Sequence, residues 1–368
     1  MTCPFSIITS LCYINNNHCT TSMSGLFMKQ NFETLDEDEP QVQQLAPQKQ
    51  LQLDYSLPFK PYFDSKNIIK NAKDEEFCYY LKGDSYKNVA FVCIHGAGFS
   101  GLSFCQLAAG LQNDGLVVSI DLRHHGFSTQ QGELSFDTLV GDLNELIPAI
   151  LAKHCAEKLF NVVLVGHSLG GSLITAIQAE QLNILCLVTI DITEHTATAS
   201  LPNMLSILQR RPSQYQSHEH LIQTYTRQRI LVNNKAIKLQ LQGLVDADNK
   251  VKCNLLTSQK FWKGWFTGLN ERFVNHQAWK IILVSTLEKL DKEHEIAMMQ
   301  GKIAVEVVPG CVHNLHEDNP AKVVFVLQEY LRKLHFTEKL WGTEMDFRQP
   351  LRADEKPDQI EQIKKMIE

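Results

Sequence analysis

From residue 75 to residue 336, short apolar runs alternate with longer stretches whose apolar residues recur every three or four positions. Glu75–Lys82, Val89–Ile94, Leu116–Ile120, Val162–Val165, Leu185–Ile190, Lys280–Ser285 and Ile303–Val308 carry the short runs and read as strands. Ser103–Asn113, Phe136–Ala152, Ser172–Gln181 and the stretch after Asn319-Pro320 carry the helical period. In Phe136–Ala152 the residues Leu139, Leu143, Leu146, Ile147 and Ile150 share one face. Asn319 and Pro320 read as N-cap and first position of the last of these helices, with Val323, Leu327, Tyr330, Leu331 and Leu334 on its apolar face. Strands alternating with helices, and few hairpins beyond residue 90, predict an α/β fold with a mostly parallel central sheet flanked by helices.

Two regions break the alternation. Residues 1–50 read as a disordered leader: Met1–Lys29 has no acidic residue and no arginine, and Asn31–Leu53 is rich in Glu, Asp and Gln with two prolines. The leader lacks the basic start of a signal peptide and the arginines of a transit peptide. Thr196–Val251 reads as a mostly helical excursion, and Phe261–Phe273 is dense in aromatics. Together they define a lid or insert over residues 196–275 within a domain spanning 51–340. The aromatics serve equally as lid core or as the apolar wall of a peptide groove. Residues 341–368 form a charged tail in which Pro357–Ile367 reads as a short surface helix.

Composition narrows the partners. With 368 residues, 44% hydrophobic content and a formal net charge of -6, the chain can build a sizeable core and shows no basic patterning for nucleic acid or an anionic membrane. No apolar run approaches the roughly 18 residues of a membrane-spanning helix. The 10 cysteines are scattered without a C-x-x-C pair, the usage of reduced thiols in the cytosol or nucleus.

The candidate chemistry centres on Gly166-His167-Ser168-Leu169-Gly170, which joins the strand Val162–Val165 to a helix. A nucleophile on so sharp a strand-to-helix turn needs flanking residues without a Cβ. Serine also needs an imidazole to accept its proton and a carboxylate to hold that imidazole. His313 and His316 compete as base, and His313, nearer the last strand, is preferred. Asp191, directly at a strand end, and Asp291, six residues beyond Ser285, compete as acid, and the residues alone leave that choice open. Ser168, Asp191, Asp291, His313 and the His95-Gly96 turn all fall at the carboxyl edge of the expected sheet, where such sheets do their chemistry. Asp121-x-Arg123-x-x-Gly126-x-Ser128 reads mainly as a turn-stabilising motif. This elbow, with the chain order serine, acid, histidine, is that of α/β hydrolases.

Beyond the fold, the chain resembles the protein phosphatase methylesterases. The resemblance is carried by Tyr62-Phe63, Ile94-His95-Gly96-Ala97-Gly98, Asp121-Leu122-Arg123-His124-His125-Gly126, Gly166–Gly171, Ile190-Asp191-Ile192, Arg211-Pro212, Lys260–Phe266, Leu290-Asp291-Lys292, Met299–Lys302 and Val312–Asp318. It covers roughly Tyr55 to Phe336. Carried over residue by residue, it implies Ser168 as nucleophile, Asp191 as acid and His313 as base, with an oxyanion hole from the backbone N–H groups of Leu169 and of Ala97 or a neighbour in its loop. Gly96, His167, Trp262 and Trp265 are the candidate substrate contacts. Three positions depart from the family pattern. Val312 replaces a glycine before the histidine, which requires that loop to avoid positive φ. His195 replaces a glycine and is expected to crowd Asp191. An acidic loop is missing near Val245–Val251.

What the resemblance implies is a monomeric serine esterase of the cytosol or nucleus that removes the methyl ester from the C-terminal leucine of the type 2A phosphatase catalytic subunit, with no metal or organic cofactor. Two rivals are a general carboxylesterase of small esters and a non-catalytic phosphatase-binding scaffold. Dehalogenase or epoxide hydrolase chemistry would need a carboxylate at the elbow, where Ser168 stands.

Overall fold

The computed structural model describes residues 57–84, 89–156, 159–333 and 356–368; the expected leader at 1–50 and most of the tail from 341 lie outside them. Strands β1 (Ser65–Lys70), β2 (Glu76–Lys82), β3 (Ala90–Ile94), β4 (Leu116–Ile120), β5 (Phe160–His167), β6 (Leu182–Ile190), β7 (Trp279–Val284) and β8 (Ala304–Val307) form one sheet in the order β1-β2-β4-β3-β5-β6-β7-β8. The pairs β1/β2 and β2/β4 are antiparallel, and every pair from β4/β3 to β7/β8 is parallel. The α/β reading from the apolar pattern therefore holds. The edge strand β1 went unread because its exposure alternates along Ser65–Lys70 and its only large apolar residues, Ile68 and Ile69, are adjacent, so neither period shows.

Side-chain alternation along the strands divides the core between the two faces of the sheet. Phe77, Tyr79 and Leu81 pack on the face covered by the helices Phe136–His154 and Leu169–Ile174 and by the aromatic segment. Cys78 and Tyr80 face the other way, towards the helices Cys105–Leu111, Pro320–Lys333 and Lys356–Ile367. That last helix is a correction. Its residues Ile363 and Ile367 are 5% and 3% exposed, and Lys235 Nζ donates to the Ile367 carbonyl at 3.2 Å. Apolar residues at 360, 363 and 367 make the stripe that docks it. The helix after β5 is also shorter than its periodicity suggested: it ends at Ile174, where Thr175 and Ala176 donate to carbonyls only three residues back and Thr175 Oγ1 donates to the Ser172 carbonyl.

Between β6 and β7 the chain runs through helices Glu194–Arg210, His218–Arg227, Asn234–Leu244, Trp262–Phe266 and Leu269–Asn275. Tyr215, Leu221, Tyr225, Leu231, Ile237, Leu241 and Leu244 form a small core of this segment. The missing acidic loop leaves a tight turn, with Val245 bridging Val251 and Asp246 Oδ1 accepting the N–H groups of Asp248 and Lys250.

The Asp121–Ser128 turn after β4 is held as a structural unit. Asp121 accepts from Gly101 N at 2.6 Å and Phe127 N at 2.9 Å. Arg123, 2% exposed, makes two 2.7 Å hydrogen bonds to the Asp142 carboxylate and also reaches Glu75. Removing one partner of a buried pair strands the other charge. Arg123→Met is therefore expected to destabilise the fold by about 3–5 kcal/mol, measured as a lower urea midpoint with unchanged slope.

Candidate active site

β5 delivers Ser168 to the carboxyl edge of the sheet and turns there into the helix Leu169–Ile174. Ser168 has φ 50 and ψ -115, a backbone conformation that side chains rarely adopt and that costs about 1–3 kcal/mol. The surroundings enforce it. A Cβ on Gly166 would stand 2.3 Å from the Gly170 carbonyl oxygen, and one on Gly170 would stand 2.1 Å from that of Ile94. The N–H of Ser168 donates to the Ile190 carbonyl at 3.1 Å, tying the elbow to β6. Unlike its buried neighbours His167 and Leu169, Ser168 is partly exposed.

β6 ends in Asp191, which also has positive φ, 53, and is buried. Its Oδ2 accepts from His313 Nδ1 at 2.9 Å and from Lys289 Nζ at 2.5 Å, and its Oδ1 from Ser285 N at 3.2 Å. Burial pushes this carboxyl up, but the imidazole and the ammonium outweigh it, so Asp191 is held below the ordinary carboxylate value. The His313 side chain is 42% exposed, and with Nδ1 on the acid its Nε2 is the nitrogen left for a substrate or nucleophile. The His313 carbonyl accepts from His167 Nε2 at 3.1 Å, which brings the base loop beside the elbow.

Asp291 is elsewhere. It precedes the helix Lys292–Met299 and accepts from His195 N at 2.7 Å, Asn270 Nδ2 at 2.8 Å and Thr193 Oγ1 at 3.2 Å. It ties the loop after β6 to the helix Leu269–Asn275 and meets no histidine ring. His316 likewise lies behind the site, fully buried and stacked on Phe104 at 4.6 Å between ring centroids.

The Gly96–Phe99 turn after β3 packs on the elbow; a Cβ on Gly96 would stand 3.2 Å from that of Ser168. Within this turn Phe99 N donates to the Gly96 carbonyl and Gly98 N to His125 Nε2, so among the described residues the Ala97 N–H is uncommitted. Leu169, first residue of its helix, has an N–H with no partner inside the helix. Two histidines brace the turn, a role the sequence reading missed. His95 Nδ1 donates to the Gly96 carbonyl while its Nε2 accepts from Leu122 N, and His125 Nδ1 donates to the Arg123 carbonyl. Burial keeps both neutral, with His125 pushed down to about 4. The legible signal was the pairing of His95 with the Asp121–Ser128 motif.

The four expected substrate contacts are not at a surface. Trp262 and Trp265 are 2% and 0% exposed, and their indole N–H groups donate to Ser258 Oγ at 3.0 Å and the Leu134 carbonyl at 2.6 Å. The Trp265 carbonyl accepts from Ser172 Oγ, so the aromatic segment is packing that backs the elbow helix. His167 is fully buried between His313, His316 and Phe99. Gly96 is buried as well, against Ser168.

This geometry has relatives. Residues 91–325 match the model of the alpha/beta hydrolase family. Protein phosphatase methylesterase 1 of Emericella nidulans is 34% identical over 74% of this chain and 75% of its own, and that of Candida albicans 30% over 73% and 75%. The chain belongs to the protein phosphatase methylesterase family. Among solved structures, E-2-(acetamidomethylene)succinate hydrolase superposes with TM-score 0.59 at 16% identity, covering 73% of this chain and 99% of that one; it shows the fold alone.

Against the methylesterase pattern, the departures are accommodated. Val312 keeps negative φ, and Gly310, at φ +79, takes the left-handed position of that loop. His195 does not crowd Asp191: its side chain is exposed at the start of the helix Glu194–Arg210.

His316 has neither ring nitrogen hydrogen-bonded, and burial lowers it to about 3. The unfolded chain takes up this proton below about 6.5 and the folded chain only near 3, so stability drains away as pH falls through that interval. His316→Phe keeps the stack on Phe104 and removes both the unpaired nitrogens and the proton uptake. The variant is expected to gain about 2 kcal/mol on wild type between pH 7 and pH 5, read by denaturant unfolding at each pH.

Proposed function

We propose that this chain is a serine carboxylesterase that removes the methyl ester from the C-terminal leucine of the type 2A phosphatase catalytic subunit. The observation that carries the reading is the strained Ser168 elbow, tied through the His167–His313 hydrogen bond to the loop that holds the 2.9 Å His313–Asp191 pair, in a chain of the methylesterase family. In this reading His313 Nε2 takes the Ser168 proton as Oγ attacks the ester carbonyl. The tetrahedral oxyanion is met by the N–H groups of Leu169 and Ala97, preorganised by a helix start and by the His95 and His125 braces. His313 returns its proton to the leaving methoxide, and methanol departs. A water, deprotonated by the same nitrogen, then splits the acyl-serine to the free carboxylate and restores Ser168. Asp191, buried and ionised, stabilises the imidazolium in both halves.

The partial exposure of Ser168, Ala97 and His313 suits a chain end presented by a large partner. With Trp262 and Trp265 packed inside, recognition of the phosphatase falls to other residues of the partly exposed helices between β6 and β7.

Release of methanol from carboxymethylated type 2A phosphatase tests the reading. Ser168→Ala should lower kcat/KM by on the order of 10⁶ and Asp191→Asn by about 10⁴. Asp291→Asn should stay within about tenfold of wild type while losing about 1–3 kcal/mol of stability. Equal turnover of simple esters and methylated phosphatase would make this a general carboxylesterase. Folded wild type that binds the phosphatase without releasing methanol would make it a scaffold.

A further inference from the structure

Lys289 stands at the end of the turn Leu287–Lys289 after β7, and both its ends are fastened. Its carbonyl accepts from Thr193 Oγ1 at 3.0 Å and Thr196 Oγ1 at 3.4 Å, on the loop that leaves Asp191. Its Nζ donates to Asp191 Oδ2 at 2.5 Å and lies 3.4 Å from the Val312 carbonyl, the residue before His313. One side chain thus spans the loops after β6, β7 and β8, and it is only 16% exposed. The oxygen it holds is the oxygen that His313 Nδ1 holds.

We infer that Lys289 is a positioning residue for the acid–base pair, a cation that shares Asp191 Oδ2 with His313, aims the carboxylate and tempers the basicity of the imidazole. The inference rests on the esterase reading of Ser168, Asp191 and His313. Sharing divides the negative charge of Asp191 between two donors, and a nearby ammonium opposes a second positive charge on the ring. The other ionisable groups around the ring offer no substitute. His167 and His316 are kept neutral by burial, the Cys311 thiol is pushed up to about 12, and the Asp318 carboxylate accepts from Val312, Val232 and Asn233 N–H groups. Lys289 is therefore the permanent positive charge that meets Asp191.

The test is kcat/KM against pH for wild type, Lys289→Met, Lys289→Gln and Lys289→Arg on p-nitrophenyl acetate and on carboxymethylated phosphatase. Lys289→Met should move the acidic limb up by about one pH unit, a roughly tenfold loss at its foot. Lys289→Arg, which keeps the charge, should overlay wild type. Should Lys289→Met not fold, Lys289→Gln keeps a donor for both oxygens and predicts the same displacement. Acidic limbs that coincide in all four proteins would overturn the inference and leave Lys289 as a loop tie. Absence of turnover in wild type would instead overturn the esterase reading. The ring titration of His313 followed by NMR then still decides Lys289, by an upward displacement in Lys289→Met or by none.

Discussion

The site depends on a close approach of backbone to backbone. At the carboxyl end of β5 the chain reverses into a helix so tightly that the Gly170 Cα lies against the Ile94 carbonyl, and only hydrogens can occupy the flanks of Ser168 at Gly166 and Gly170. That contact forces Ser168 to φ 50, and the strain is sustained by the parallel strands on either side, β3 and β6, which are buried along their inner residues. Relaxing the turn would withdraw the hydroxyl from the edge of the sheet and remove the Leu169 N–H from beside it. Positive φ recurs at His124 and Asp191, so the ends of β4, β5 and β6 all carry it. Within the interior strands, the β5/β6 pairing also shifts register between Val162 and Val163.

The second level of order is the carboxylate of Asp191. A buried anion is tolerated only when its lone pairs are met, and here three donors come from two loops: Ser285 N and Lys289 Nζ after β7, and His313 Nδ1 after β8. The same carboxylate thus fixes the distance between the loops after β6, β7 and β8. Asp291 does comparable work one step further out, collecting His195 N, Thr193 Oγ1 and Asn270 Nδ2. Two aspartates of similar burial therefore serve different ends. The difference lies in whether a histidine ring, rather than a backbone N–H, is among the donors.

That distinction explains what could be read from residues alone. The sheet, the elbow and the preference for His313 followed from local pattern: apolar runs of strand length, glycines flanking a serine, and a histidine just past the last strand. The choice between Asp191 and Asp291 did not, because both sit beyond strand ends and only the path of the intervening loops decides which carboxylate meets the ring. The resemblance to methylesterases pointed to Asp191, and that carboxylate is the one hydrogen-bonded to the His313 ring. The aromatic run Phe261–Phe273 was ambiguous for a related reason. Its composition suits a groove or a core, and the outcome is set by hydrogen bonds to Leu134 and Ser258 that no spacing predicts. β1 and the docking of Lys356–Ile367 were missed because an edge strand with half-exposed residues, and a helix with a narrow stripe of isoleucines, leave weak periodic signals.

The histidines around the site show how burial assigns roles within one residue type. His95, His125, His167 and His316 are all fully buried, and desolvation lowers each below its ordinary value. Their rings are locked as neutral hydrogen-bonding or packing groups: His95 and His125 hold the Gly96–Phe99 turn, His167 holds the His313 carbonyl, and His316 fills space against Phe104. None has a carboxylate hydrogen-bonded to it. His313 differs on both counts, being half exposed and bonded to Asp191. Taking up a proton at His313 creates a charge that water and a carboxylate both stabilise. Taking one up at any of the other four would place a charge in the core with no carboxylate hydrogen-bonded to it. Among the described histidines around the site, His313 alone combines an exposed ring with a carboxylate partner.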